Sequence, residues 1–241
     1  MERLIKKVMN IMLEITRDFI PVGNKNRPGR VNPIQFIAVH DTGNYDKGAD
    51  AKAHAEYLKN PKTKESWHFT VDDKSIYQHL PVGEDALHAG DGAGSGNRQS
   101  LGVEICVNSD GDLKKATDNT VELIALLCKN AGLTINEVYQ HNAFNGKNCP
   151  AEIRKGNPYN WDVFISKIKS RMYELSNIVV DNNKLEFMEV TQTVININGQ
   201  LRTVDRILKD GFNYIRLRDL ESDNIKIGYD EENKLPIITT I

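Results

Sequence analysis

Long apolar runs are missing from this sequence: nowhere in its 241 residues does a stretch approach the roughly 20 consecutive apolar side chains of a membrane-spanning helix, so none is expected. Cysteine is scarce as well. Cys106, Cys128 and Cys149 make an odd number spread along the chain, which excludes a disulfide framework at this size and leaves reduced thiols, one of which could be a metal ligand. Neither sign of charge dominates. A formal net charge of -2 supplies no global attraction toward nucleic acid or an anionic membrane, and neither is expected as a partner. The N-terminal MERLIKKVMNIMLEI opens like a secretory leader, but Lys6, Lys7, Asn10 and Glu14 interrupt any apolar segment, so no Sec signal is predicted.

What is present is globular chemistry. With 39% hydrophobic and 27% charged residues and no low-complexity tract or repeat, the chain can bury a real core. Its length suits one domain of about 150 residues with a small appendage.

The apolar run Gln35 to Val39 reads as a buried strand ending at the polar loop His40-Asp41-Thr42-Gly43-Asn44. Ala49 to Leu58 favours helix, stopped by Asn60-Pro61. Trp67 to Val71 and Ser75 to Leu80 read as strands around the turn Asp72-Asp73-Lys74, and residues 83–102, rich in Gly, Ala, Ser and Asn, read as one long loop. Leu101 to Val107 is the next strand. A helix follows from about Thr117 to Ala131, with Val121, Ile124, Leu127 and Cys128 on one face and Gly132 as terminator. Another runs from Trp161 to Leu175 behind an Asn160 cap. These elements predict an α/β fold, a central mixed β-sheet flanked by helices, over residues 1–175. A polar linker is expected over 176–189, then a small β-rich C-terminal domain over 190–241 with strands at Val190 to Ile197, Leu201 to Leu208 and Phe212 to Leu217.

The most informative fragment is QHNAFNGKNCP at 140–150, where His141 and Cys149 flank a loop rich in Asn and Gly. Imidazole nitrogen and thiolate sulfur are preferred zinc ligands, and a site with three of them leaves a fourth position open. A third ligand must come from elsewhere. His40 is the best candidate, because a rigid strand end can aim a side chain into a pocket. On spacing alone, ordinary structural histidines remain the competing reading.

Four motifs in order, FIAVHDTGN at 36–44, WHFTVDD at 67–73, HAGDGAGSGNRQSLGVEICVN at 88–108 and QHNAFNGKNCP at 140–150, cover most of residues 15–175. Together they resemble the zinc-dependent N-acetylmuramoyl-L-alanine amidases of the type 2 family, which share their fold with peptidoglycan recognition proteins. The resemblance implies that His40, His141 and Cys149 hold one Zn2+ ion, that Glu104 is the catalytic acid/base, and that Lys147 stabilises the oxyanion. It implies bacterial peptidoglycan as substrate, cut between N-acetylmuramic acid and L-alanine. Trp67 stands where tyrosine is common, so any phenolic role there is lost. His88 is expected to line the substrate groove beside the site, and Trp67, Asn97, Arg98, Phe144 and Asn145 either shape that groove or pack a shallow surface. The implied source is a phage or prophage endolysin made in the bacterial cytoplasm and released through a holin-made hole to act at the wall, with a bacterial autolysin as rival. A recognition protein that binds peptidoglycan without cutting it is the alternative from another class, and would usually lack a metal ligand.

The other histidines and cysteines read as structural. His68 and His79 are expected to be hydrogen-bonded beside strands and His54 to be solvent-exposed, while Cys106 reads as a small buried hydrophobe and Cys128 as core. The loop GDGAGSGN lacks the lysine-serine pair and helix start of a phosphate-binding loop. In the tail, VININGQLRTVDRILKDGFNYIRLRDL resembles small β-rich stalk modules related to the N-terminal domain of copper amine oxidases, without a histidine or cysteine to bind copper. Wall binding, which would raise the effective concentration of the catalytic site, and a stabilising or homo-oligomer-forming role weigh equally for it.

Overall fold

The computed structural model describes residues 13–176 and, beyond them, residues 190–197, 200–209, 212–215, 220, 225–230 and 235–240. The chain divides into two units, Met1–Ile178 and Val179–Ile241. The expected linker lies, from residue 177 on, outside the described residues.

In the first unit six strands form one sheet: β1 (Ile15–Arg17), β2 (Phe36–Asp41), β3 (Phe69–Val71), β4 (Ile76–Gln78), β5 (Ser100–Ile105) and β6 (Val138–Gln140). Their order is β1-β4-β3-β5-β2-β6. The pairs β1 with β4, β3 with β5, β2 with β5 and β2 with β6 are parallel, and β3 with β4 is antiparallel, so the sheet is mixed. Successive side chains of a strand face opposite ways. One face therefore carries Ile37, Val39, Phe69, Val71, Leu101, Val103 and Ile105, all buried in the main core. The other carries Ala38, His40, Thr70, Ser100, Gly102 and Glu104.

The apolar face is covered by two long helices, α3 (Leu113–Ala131) and α6 (Trp161–Ser176); the shorter α1 (Ala51–Lys59) and α2 (Ser95–Gln99) precede α3, and α4 (Asn142–Asn145) and α5 (Ala151–Arg154) lie between the two. Val121, Ile124, Leu127 and Cys128 of α3 and Phe164 and Ile168 of α6 join the strand residues in that core. The helix α3 begins four residues before the expected Thr117, because the Asp112 side chain accepts from the Lys115 N–H and caps it there. Gly132 ends it in the left-handed conformation at φ 67. The Asn160 cap on α6 is present, with Val163 N–H donating to Asn160 Oδ1 at 2.9 Å.

On the polar side, α1 packs toward β3 and β4 over a second cluster of Ile20, Leu58, Trp67, Leu80 and Ala86. His54 does not face solvent as the sequence suggested. It is buried and donates from Nδ1 to the Asp50 carbonyl at 2.8 Å, since the inward face of α1 includes it and sets its ring 6.2 Å from Trp67. Nor is the stretch 83–102 one continuous loop. Asp91 accepts from the Gly96 and Asn97 N–H groups, nucleating α2, and β5 starts immediately afterwards.

The second unit contains an antiparallel sheet of β7 (Val190–Ile197), β8 (Gln200–Lys209) and β9 (Phe212–Ile215), and an antiparallel pair of β10 (Ile225–Asp230) and β11 (Leu235–Thr240). The pairing of Ile197 with Gln200 sets the first hairpin at Asn198-Gly199, whose own geometry lies outside the described residues. Among the described residues no helix is long and apolar enough to cross a membrane.

Phe164 is fully buried between the sheet and α3. Phe164→Ala should destabilise the first unit by about 3–5 kcal/mol through lost transfer energy and an unfilled cavity, read as an earlier midpoint in urea. An unchanged midpoint would show that this core tolerates the void.

Candidate metal centre

His40 stands near the end of β2 on the polar face, and the register pairs it with Glu104 of β5. His141 follows β6, its N–H donating to the Val39 carbonyl at 3.0 Å, so the backbone of β2 also places the second imidazole. From there the chain makes a tight excursion through α4 and returns. Gly146 closes α4 at φ 79, Asn142 N–H donates to the Cys149 carbonyl at 3.0 Å, and the Asn142 side chain donates to the Lys147 carbonyl at 2.8 Å. These bonds bring Cys149 back beside His141. Past it, Asp41 accepts from the Glu152 N–H at 2.8 Å and ties the start of α5 to β2.

The result is a compact donor set. His40 Nδ1 lies 2.9 Å from His141 Nδ1 and 3.9 Å from Cys149 Sγ, and the three ligand atoms lie within 4.8 Å of one another. All three residues are buried. Glu104 Oε1 sits 3.8 Å from His40 Nδ1, while Glu104 Oε2 is buried with no hydrogen-bond partner among the described residues.

Electrostatics make this a neutral cage. Burial first, then the neighbouring His88, His141 and Lys147, hold His40 well below its usual range. Burial likewise lowers His141, so both imidazoles are unprotonated at neutral pH and able to donate lone pairs. The Cys149 thiol is pushed up to about 12, chiefly by burial and then by Glu104. Burial and the adjacent Asp41 raise Glu104 well above the usual carboxylate range, against the opposing pull of Lys147.

The donor set fits a metal ion. His141 Nε2 donates to the Ala89 carbonyl at 3.0 Å, leaving its Nδ1 lone pair aimed at the cluster. A cation there would also be the missing counter-charge for thiolate and carboxylate. The cluster His40–His141–Cys149 can hold a metal ion.

The remaining expected site residues separate into two groups. Phe144 and Asn145 lie on the short helix between His141 and Cys149, with Asn145 exposed and Phe144 half-buried in an edge-on aromatic group with Phe36 and Tyr139. Lys147 is exposed in the same loop, and its charge reaches both His40 and Glu104. Arg98 is half-buried beside Asp85, 3.6 Å away. Three others are buried. Trp67 is buried in the second cluster and donates to Thr70 Oγ1, a tethered position on the polar side. Asn97 is buried, its Oδ1 accepting from the N–H groups of His88 and Ala89 at 2.8 Å each. His88 is buried behind His40, with its Nδ1 2.9 Å from His40 Nε2. His68 and His79 are hydrogen-bonded structural residues as expected, to Glu84 and Gly102 and to Thr70 respectively.

Sequence reasoning missed the Ala89 carbonyl and Asp41. A carbonyl carries no residue signal at all, whereas Asp41 follows His40 directly and could have been suspected as a loop anchor.

Three soft donors and a buried carboxyl group gathered on the polar face of a mixed sheet are the equipment of metal-dependent hydrolases. The chain belongs to the N-acetylmuramoyl-L-alanine amidase family, whose sequence pattern matches residues 30–152. It is 51% identical over 160 residues to the N-acetylmuramoyl-L-alanine amidase CwlH of Bacillus subtilis, covering 66% of this chain and 62% of that protein. With the N-acetylmuramoyl-L-alanine amidase XlyA of the same organism, identity is 52% over 153 residues, covering 64% of this chain and 50% of the relative. The chain thus spans between half and two thirds of the length of these relatives. The solved catalytic domain of XlyA superposes with a TM-score of 0.62 at 51% identity, covering 65% of this chain and 99% of that one.

Cys106 and Cys128 stand apart from the donor set. Burial pushes the Cys128 thiol up to about 12, and burial with the nearby Asp72 and Glu104 raises Cys106 still further. Both should resist iodoacetamide at mildly alkaline pH in the native protein and react once it is unfolded, as mass spectrometry of the peptides would report. Rapid native labelling of either would contradict the burial described.

Proposed function

We propose that this chain is a zinc-dependent peptidoglycan hydrolase that cleaves the amide bond between N-acetylmuramic acid and L-alanine. The observation that carries the reading is the convergence of His40, His141 and Cys149 beside a buried carboxyl group with an unpartnered oxygen. The names of the relatives point to the same bond.

His40, His141 and Cys149 would hold one Zn2+ ion through Nδ1, Nδ1 and Sγ, a set of three that leaves a fourth position open. When bound there, zinc would polarise the scissile carbonyl and lower the pKa of a water to about 7. Glu104 handles the protons. In the carboxylate form, which a bound cation and Lys147 would favour, its Oε2, free of partners among the described residues, accepts one from the attacking water and later returns it to the leaving nitrogen. Burial, which favours the protonated carboxyl group, suits the second of those transfers. Lys147 brings a positive charge to the developing oxyanion. Phe144, Asn145 and Arg98 are the remaining candidates for substrate contact.

The substrate in this reading is the cell wall, so the protein would act there. An endolysin released at lysis and an autolysin would both act there, and the second unit would either hold the enzyme on the wall or join copies of the chain.

Purified cell wall digested with the protein should release free L-alanine amino groups without new reducing sugar ends. New reducing ends instead would assign a glycosidase and sink the reading. Glu104→Ala should keep zinc while losing cleavage, and Cys149→Ser should weaken zinc binding. Lys147→Ala should lower turnover by ~10²–10³, measured as amino groups released per enzyme. Activity equal to wild type in Glu104→Ala would remove that residue from the chemistry.

A further inference from the structure

The proposed hydrolysis assigns His88 no part as ligand or base, yet its position is over-determined. The ring meets His40 edge-on, with centroids 4.9 Å apart. It lies over Gly102, where a Cβ would come within 2.7 Å of His88 Cδ2. Ala38 pairs with Gly102 across the strands, so two of the smallest residues leave a hollow in the polar face beside the ring. The backbone N–H of His88 is fixed by Asn97 Oδ1.

The direction of its hydrogen bonds can be read from the far end. Ser100 Oγ donates its only proton to the Gly96 carbonyl at 2.6 Å, so toward His88 Nε2, 3.5 Å away, it can only accept. His88 then carries its proton on Nε2 and a lone pair on Nδ1. The 2.9 Å contact to His40 Nε2 is consequently a bond that His40 donates. That leaves the His40 Nδ1 lone pair facing His141 and Cys149.

We infer that His88 is a positioning residue that locks His40 in the Nε2-protonated tautomer, through a relay from the Gly96 carbonyl and Ser100, and so keeps His40 Nδ1 free for a metal ion. The metal in this statement rests on the function proposed above; the tautomer does not. The adjacent residue does the same for the second imidazole, because the Ala89 carbonyl accepts from His141 Nε2 and fixes that ring in the same tautomer. Two consecutive residues of one loop therefore orient both imidazoles. The Asn97 side chain clamps the two together by accepting from both N–H groups.

The test uses the full chain and two readouts. Nitrogen-15 histidine spectra of the metal-free protein at neutral pH should show His40 protonated at Nε2, and His88→Ala should shift it toward a tautomeric mixture. Zinc affinity, measured by competition with a chromogenic chelator, should fall about 10–100-fold in His88→Ala. In His88→Asn, whose amide oxygen can take the place of Nδ1 as acceptor, most of the affinity should remain. A wild-type His40 protonated at Nδ1, unchanged affinity in His88→Ala, or equal losses in both variants would overturn the inference. A wild type that binds no zinc, or Cys149→Ser binding it normally, would instead overturn the metal site, and the His40 spectrum would still decide the tautomer. Should His88→Ala not fold, that spectrum and the affinity of His88→Asn decide between them.

Discussion

The parallel pairing of β2 with β5, in the register that sets His40 opposite Glu104, is the constraint on which the rest depends. Because side chains alternate, this one register buries Ile37, Val39, Leu101 and Val103 against the two long helices and simultaneously presents His40, Gly102 and Glu104 on the reverse. A slip of β5 by a single residue would exchange its two faces, sending the Glu104 carboxyl group into the core and aliphatic side chains onto the site. Core packing and site assembly are thus enforced by the same backbone bonds.

Burying so many polar groups is costly unless each finds a partner. All six histidines are buried, and each has a hydrogen bond to a carbonyl, a hydroxyl, a backbone N–H or another ring. Such partners rigidify the polar face, whereas Glu104 Oε2, beside the donor cluster, is one of the few buried side-chain oxygens without a partner among the described residues. Polar groups fixed in this way need little reorganisation when charge develops beside them.

Much of this was legible in the sequence, for physical reasons that differ by residue. The strands Phe36–Asp41 and Ser100–Ile105 announced themselves by apolar runs, and α3 and α6 by helical spacing with Asn160 and Gly132 as punctuation. The His141–Cys149 pair suggested donors to a metal, and the resemblance carried by the ordered motifs drew attention to Glu104, which the register sets opposite His40, and to Lys147, in the same loop as Cys149. What escaped was decided by tertiary placement. Trp67, Asn97 and His88 sit in motifs near the site, and sequence proximity suggested a groove; their side chains turn inward because Thr70, the His88 and Ala89 N–H groups, and the hollow over Gly102 receive them. A glycine inside a strand pattern was the available signal for that hollow. His54 looked exposed among Ala and Lys, and nothing local revealed that Trp67 would lie against its helix face.

Among the described residues none of the three candidate ligands belongs to the large apolar core cluster, whereas Cys128 does. Backbone bonds of β2, β6 and the stapled excursion from His141 to Cys149 set the donors beside one another. This differs from small zinc-nucleated domains, where capture of the ion and folding are one event. Here the apolar core of strand and helix side chains stands apart from the donor set, so an ion held by His40, His141 and Cys149 would serve chemistry rather than architecture.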